Sequence, residues 1–435
     1  MKRIRIRSAV VLIPAVIILF GLGALLARDW LHGGEWAAYS ANEHIYRRGV
    51  LAGGTLTDRN GVTLFSAYDG DYHYADEEAV RFASLHTVGD QRGQVGGTAL
   101  AAFSDELIGY SFARGTDGHG GEVALSLDSR LQAGAWYALN GRRGAVVVLN
   151  YETGEILCMV SSPSYDPDVG ERRDAEGLYI NRCTGGLFIP GSIYKIVTLC
   201  CARENIPNLD SRTFRCEGEL DVNGKTVQCT GIHGEQTVQE AFANSCNVAF
   251  ATIAMELGGA RIRDTARALG VEGPLPWGGG TTASGRFDVA ARRTAPEAWS
   301  GIGQYNDLVT PYAMARLCSA VANGGIVHEG VLRAGAEGRA SRIMDEKTAA
   351  YIGECMHYNV VSSYGTNNFP WLDLAAKTGT AELGDGSTHA WFVGYLRSGA
   401  PLAFAVLLEQ GGGGLAQAGP VANHVLQLAN GYYSS

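Results

Sequence analysis

Pro190-Gly191-Ser192-Ile193-Tyr194-Lys195-Ile196-Val197-Thr198 is the stretch on which the reading of this chain turns. Pro and Gly break the chain just before Ser192, and a run with good helix potential follows through Cys201. A helix opening at Ser192 puts Lys195 three residues on, on the same face and less than one turn away. A serine hydroxyl is a poor nucleophile at neutral pH and needs a neighbour to take its proton. A lysine amine can do so where desolvation or nearby positive charge lowers its pKa. The helix start also directs free N–H groups at anything negative near Ser192. A capping serine followed by a surface lysine fits the same letters, so the rest of the chain must separate the two readings.

Lysine usage bears on that choice. Lys2, Lys195, Lys225, Lys347 and Lys377 are the only lysines among 35 basic residues; the others are arginines. Arginine does not give up its proton in a protein and lysine can, so a lysine at position 195 favours a chemical role there. The 435 residues, 46% hydrophobic and 18% charged, read as globular with room for two or three domains. A net charge of −9 gives no footprint for nucleic-acid binding. The 59 glycines predict many turns and loops.

Ala9 to Ala27 is a near-continuous apolar run, long enough to cross a bilayer core as a helix. Lys2, Arg3, Arg5 and Arg7 precede it, which predicts a cytoplasmic N-terminus and an extracytoplasmic remainder. A cleaved signal peptide is the competing reading; the run is longer than a usual signal core and Leu25-Leu26-Ala27 is a poor cleavage site. Gly53 to Leu64 predicts two short strands around an Asn60-Gly61 turn. Arg114 to Gly121 reads as a linker. The expected organisation is a cytoplasmic tail (1–8), an anchor (9–27), a membrane-proximal region with its linker (28–121) and a main domain (122–435).

Within the main domain, Val123 to Leu127 predicts a strand, Asp128 a cap for a helix through Leu139, and Gly144 to Asn150 and Glu155 to Ser161 a hairpin. Two further stretches join Ser192. Ser245-Cys246-Asn247 lies between two helical patterns, and a Ser-x-Asn pair on a loop can relay a proton and bind a peptide group. Ser40-Ala41-Asn42 has the same spacing, so by itself this pair is also consistent with a polar helix connection. Lys377-Thr378-Gly379-Thr380 lies on the first of three strands predicted to form an antiparallel meander, with Ala390–Tyr395 and Leu402–Leu408 following. Lys377 offers positive charge, Thr378 a hydroxyl, and Gly379 room for a substrate backbone to lie close. The three stretches together describe a serine acyl-transfer site without histidine, and S-x-x-K and K-T-G are motifs of penicillin-binding proteins and class A β-lactamases.

On these motifs, with GAVVVLNYETGEILCMVSSPSYDP (residues 144–167), Gly301-Ile302-Gly303-Gln304, Thr310-Pro311 and Ala322-Asn323-Gly324-Gly325, residues 122–435 resemble a monofunctional (class B) penicillin-binding protein. Asp58-Arg59-Asn60-Gly61 is similar to that family's region just outside the membrane, although Gly53-Gly54 stands where Arg-Gly often occurs. The resemblance implies an α+β fold of the penicillin-binding protein/serine β-lactamase kind, an antiparallel sheet between helical clusters. It implies a peptidoglycan D,D-transpeptidase in which Ser192 attacks the D-Ala-D-Ala bond of a stem peptide and a neighbouring amine resolves the acyl-enzyme into a cross-link. Lys195 would activate Ser192, and Ser245 with Lys377 would relay a proton to the leaving group. Asn247 would hold the donor amide, Thr378 and Thr380 the terminal carboxylate, and the N–H groups of Ser192 and Thr380 the oxyanion. β-Lactams would acylate Ser192, no metal or other cofactor is implied, and the expected partner is a membrane glycan polymerase of the RodA/FtsW type.

The same motifs leave rivals. A D,D-carboxypeptidase passes the acyl group to water, and acceptor choice is not legible here. A β-lactamase would need a deacylation device, of which there is no clear acidic motif between Ser245 and Lys377. A β-lactam-sensing receptor would carry several spans, and one is visible. Among the nine cysteines, Cys216 and Cys229 flank an expected hairpin around Asn223-Gly224; a disulfide and two reduced thiols fit that pattern equally. Cys158, Cys200, Cys201, Cys246, Cys318 and Cys355 read as buried small side chains. The ten histidines show no metal-ligand spacing, so His233 and His389 read as structural. Gly411 to Gly414 lacks the context of a phosphate loop and reads as a loop near the site.

Overall fold

A computed structural model describes residues 2–37, 46–47, 50–51, 53–68, 71–110, 120–170 and 175–433. Helix α1 (Lys2–Ala37) carries the N-terminal apolar run and continues past the expected 9–27 at both ends; Val10–Gly33 is the stretch long and apolar enough to cross a membrane. The side chains there stand outward, Phe20 at 80% exposure, as suits a helix whose solvent is lipid. Strands β1 (Gly53–Thr57), β2 (Thr63–Tyr68) and β3 (Asp71–Tyr74) form the predicted hairpin and one strand more. Asp58 shapes the first turn by accepting the N–H groups of Asn60 and Val62, each at 2.8 Å. Helix α2 (Glu78–Val88) follows. The linker expected at 114–121 lies mostly outside the described residues.

The strand expected at 123–127 is shorter, β4 (Glu122–Ala124), and pairs parallel with β1, closing a sheet of order β3-β2-β1-β4. The boundary expected at 121/122 therefore falls inside a sheet. One continuous core runs from Leu56, Phe65 and Val123 into Val147 and Leu199. Asp128 caps α3 (Ser129–Leu139) by accepting the Arg130 N–H.

Strands β5 (Gly144–Asn150) and β6 (Ile156–Ser162) form the predicted hairpin. Helix α4 (Lys195–Asn205) follows a single 3-10 turn, Gly191–Tyr194. Next come β7 (Thr213–Cys216), β8 (Glu219–Val222), β9 (Lys225–Gln228) and β10 (Gly234–Thr237), with β8 paired to β9 and β7 to β10. Asn223 and Gly224 both take positive φ, the two-residue turn that twisted hairpins favour. Helix α5 (Val238–Ala243) opens on a capping box of Thr237 and Glu240, and α6 (Asn247–Leu257) follows. Then come α7 (Pro311–Ala322) and α8 (Glu346–Asn359), strands β11 (Leu374–Glu382), β12 (Thr388–Leu396) and β13 (Leu402–Leu408), and α9 (Gly419–Tyr433).

The central sheet has the order β11-β12-β13-β5-β6, every neighbouring pair antiparallel. Side chains alternate between its faces. Val146, Val148, Phe392, Phe404 and Val406 pack with Leu131 of α3 and Leu426 of α9. Ala145, Val147, Trp391, Val393 and Leu407 pack with Ile196 of α4, Phe250 of α6 and Met314 of α7. A sheet covered on both sides reads as unbroken apolar runs, as GAVVVLN does; each fully buried aliphatic side chain contributes about 1.5–3 kcal/mol. This is the expected α+β architecture. It leaves β11 at the sheet's edge, against the turn that carries Ser192.

Candidate active site

Gly191 makes the serine turn. Its φ is +55°, its N–H donates to the Gly303 carbonyl at 2.8 Å, and a Cβ there would stand 2.8 Å from the Thr380 carbonyl oxygen. The turn is 3-10 rather than the expected first α-helical turn, and in 3-10 geometry residues i and i+3 eclipse. Lys195 Nζ consequently lies 3.0 Å from Ser192 Oγ.

The other two motifs close on the same amine. Lys195 Nζ lies 2.7 Å from the Ser245 carbonyl oxygen, 3.2 Å from Ser245 Oγ and 2.7 Å from Asn247 Oδ1. Ser245 holds a left-handed backbone, φ +52°, in the turn between α5 and α6, which aims its hydroxyl between two lysines. Lys377 Nζ donates to that hydroxyl at 3.0 Å and to the Thr378 carbonyl at 3.1 Å. Lys195 and Lys377 are fully buried, whereas Lys225 and Lys347 are exposed. Burial pushes the Lys195 amine down to about 7, against smaller opposing effects of Cys246 and Cys229. Burial, then the neighbouring Lys195, holds Lys377 well below the usual lysine range.

Two binding expectations take a different form. Asn247, expected to hold a donor amide, has its Oδ1 on Lys195 and donates Nδ2 to the Gln228 carbonyl at 2.8 Å. Gly379, expected to admit a substrate backbone, instead admits the protein's own: a Cβ there would lie 2.9 Å from the Pro190 carbonyl oxygen and 3.1 Å from Ile193 Cγ2. Alternation sends Lys377 and Gly379 inward and leaves Thr378 and Thr380 on the cleft side. The cleft, about 710 Å³, is lined by Ser192, Ser245, Asn247, Thr378 and Thr380 together.

Tyr364, Gln228 and Gly303 were not legible as parts of this site. The Tyr364 hydroxyl accepts from the Thr378 N–H at 3.1 Å and from Thr378 Oγ1 at 3.2 Å. Tyr364 ends a π-helical turn, Val360–Tyr364, and carries no motif. Gly301–Gln304 did carry a resemblance, and the Gly303 carbonyl is what receives the Gly191 N–H. The Gly411–Gly414 loop lies at the site as expected, with the Gly414 N–H 3.3 Å from Thr380 Oγ1. Cys216 and Cys229 are unbonded thiols rather than a disulfide. His233, read as structural, groups with Cys216, Cys229 and Cys246 behind the Ser245 turn.

A family model, the penicillin binding protein transpeptidase domain, matches residues 144–427. The chain is 29% identical over 445 residues to the peptidoglycan D,D-transpeptidase PbpA of Mycolicibacterium smegmatis, covering 87% of each. It is 28% identical over 369 residues to the protein of the same name in Mycobacterium tuberculosis, covering 73% of this chain and 74% of that one. The ceftriaxone acyl-enzyme complex of penicillin-binding protein A from M. tuberculosis superposes with a TM-score of 0.75 at 25% identity, over 87% of this chain and 98% of that one. The matched span takes in the serine turn, the Ser245 turn and the lysine strand alike, and the chain belongs to the penicillin-binding protein transpeptidase family.

Proposed function

We propose that this protein is a membrane-anchored peptidoglycan D,D-transpeptidase working through an acyl-enzyme on Ser192. The observation that carries the reading is the 3.0 Å approach of a buried Lys195 amine, lowered to about 7, to the Ser192 hydroxyl. A neutral amine has two N–H groups and one lone pair. The Ser245 carbonyl and Asn247 Oδ1, each at 2.7 Å, take the two N–H groups. The lone pair is then left for the Ser192 proton.

Ser192 Oγ attacks the carbonyl of the D-Ala-D-Ala bond as Lys195 takes its proton. The oxyanion forms against the N–H groups of Ser192 and Thr380, a contribution usually worth several kcal/mol. Ser245, hydrogen-bonded to both lysines, passes a proton to the leaving D-Ala amine. The amine of a second stem peptide then attacks the acyl-enzyme and restores the Ser192 hydroxyl with its proton. Thr378 and Thr380, on the cleft side of β11, receive the terminal carboxylate, and the edge of β11 offers main-chain pairing to an extended peptide. Asn247 acts by positioning Lys195 and the Gln228 segment, and by meeting the donor peptide where it lines the cleft. The relative's ceftriaxone acyl-enzyme supports β-lactams as acylating mimics.

The apolar helix supports a single-pass anchor with residues 1–8 cytoplasmic, by the positive charge that precedes it, and the catalytic domain extracytoplasmic. The membrane-proximal unit runs from the anchor through Ala124, since β4 completes its sheet. A RodA/FtsW-type glycan polymerase is the partner of this reading, because only a small sheet and short helices stand between α1 and β5 among the described residues. The test is to treat the full chain in detergent with a fluorescent penicillin and map the adduct by peptide mass spectrometry. A long-lived adduct on Ser192, absent in Ser192→Ala, is the expected result. Rapid turnover of the label points to a hydrolase, and no adduct on folded protein overturns the mechanism.

A further inference from the structure

Behind the Ser245 turn, four segments bring one side chain each to a common point. Cys216 ends β7, Cys229 follows β9, His233 precedes β10, and Cys246 stands between Ser245 and Asn247 as the cap of α6. The four potential ligand atoms, three sulfurs and a ring nitrogen, all lie within 4.8 Å of one another. Cys229 Sγ is 3.8 Å from Cys246 Sγ and 3.6 Å from His233 Nδ1.

These separations can be set against two chemistries. A disulfide needs its sulfurs about 2.05 Å apart. A tetrahedral ion with about 2.3 Å bonds to sulfur and about 2.05 Å to nitrogen holds two sulfurs about 3.8 Å apart, and a sulfur and a nitrogen about 3.6 Å apart. Ordinary thiol packing also allows such distances, so the surroundings matter. The N–H of Asn247 points at Cys229 Sγ at 3.2 Å and that of Ala249 at Cys246 Sγ at 3.4 Å, the backbone donors that a metal-bound thiolate uses. Cys158, Cys183, Cys200, Cys201, Cys318 and Cys355 are all buried and stand outside this cluster.

We propose that Cys216, Cys229, His233 and Cys246 form a closed tetrahedral site for a divalent, thiolate-preferring cation, zinc by its ligand set, which clamps the two hairpins to the Ser245–Asn247 turn. Three cysteines and one histidine fill four-coordination and leave no open position, the pattern of a structural site. Binding releases the thiol protons to solvent. The clamp has something to hold. Ser245 keeps a left-handed backbone without being glycine, and Asn247 reaches the Gln228 carbonyl at the end of β9. Thr226 and Gln228 line the same cleft as Thr378 and Thr380, so the ion supports part of the site's wall without touching the reacting atoms.

The experiment is elemental analysis of the full chain, purified in detergent and washed with a mild chelator. The expected result is about one zinc per chain in the wild type and background metal in Cys216→Ser. Cobalt substitution of the wild type, which needs no variant, should give thiolate-to-cobalt charge transfer and the intense visible bands of a tetrahedral site. Stripping the ion with a strong chelator should slow Ser192 acylation at least about tenfold, with recovery on adding zinc. A chain that labels normally with penicillin yet retains neither zinc nor cobalt overturns the site and leaves the Ser192 reading standing. So does a disulfide between any two of the three cysteines. An unchanged acylation rate after stripping overturns the clamp.

Discussion

Lys195 meets the competing demands of the site in one side chain. Buried, it faces Lys377 from β11, Ser245 and Asn247 from the turn before α6, the thiols of Cys246 and Cys229, and the Phe250 ring. Its pKa of about 7 predicts that acylation by penicillin rises as pH passes through about 7 and levels above it. A flat rate profile across about pH 5–9 would sink the general-base assignment. The sign for stability follows from the same shift. Between about 7 and the ordinary lysine range the unfolded chain holds a proton on Lys195 that the folded chain lacks, so this residue's contribution to stability rises with pH across that window. Lys195→Arg keeps a cation but cannot release its proton, so acylation should fall by about 10²–10⁴ in protein that still melts cooperatively. Near-native rates in Lys195→Arg would exclude proton transfer to this residue.

At the scale of elements, the site depends on how closely the serine turn and β11 approach. Gly191→Ala puts a Cβ into a left-handed position, about 1–2 kcal/mol by itself, and against the Thr380 carbonyl. The turn must back away from β11, so the acylation rate constant should drop at least about tenfold, with a lowered melting temperature. Wild-type acylation in that variant would show that the contact between turn and strand is not needed. Tyr364→Phe tests the support behind β11. Losing the hydroxyl that accepts from Thr378 N and Oγ1 should cost about 1 kcal/mol in stability. It should weaken recognition of peptides ending in a carboxylate more than it slows acylation by saturating penicillin, a split that steady-state kinetics resolves. Equal losses in both would place Tyr364 in the reaction itself.

For the molecule as a whole, the membrane-proximal hairpin is joined to the catalytic domain through buried carboxylates. Asp58 accepts the Ser129 N–H at 3.0 Å and its hydroxyl at 2.8 Å, at the start of α3, besides shaping its own turn. Arg59 lies over the Tyr433 ring, and the Tyr433 hydroxyl donates to Asp128 at 2.7 Å. None of the residues of this junction lines the cleft, so Asp58→Ala should destabilise by about 2–4 kcal/mol, read by denaturant melting, with little change in acylation of the protein that remains folded. The anchor is the converse case. A chain of residues 38–435 should leave the membrane fraction and acylate at the full-length rate, because α1 keeps its apolar side chains away from the rest of the fold. A slower rate in the shortened chain would make the anchor part of the working enzyme.

Short-range physics was readable directly from the letters. The apolar run of α1, the antiparallel meander of β11 to β13, the Asp128 cap and the Asn223-Gly224 turn each depend on a few neighbouring residues, and each is where the sequence placed it. The three motifs, and with them the family, were legible for the same reason. What the tertiary structure alone decided depends on residues far apart in the chain. Packing desolvates Lys195 and Lys377 and joins Ser192, Ser245 and Lys377 through one set of hydrogen bonds. It gives Gly379 the serine turn as its neighbour, assigns Tyr364 to Thr378, and carries β4 across the expected domain boundary. Cys216 and Cys229 show the limit most plainly. Their spacing suited a disulfide or two thiols, and only folding adds Cys246 and His233 to them, because a contact between segments is set by the packing of the whole core rather than by local pattern.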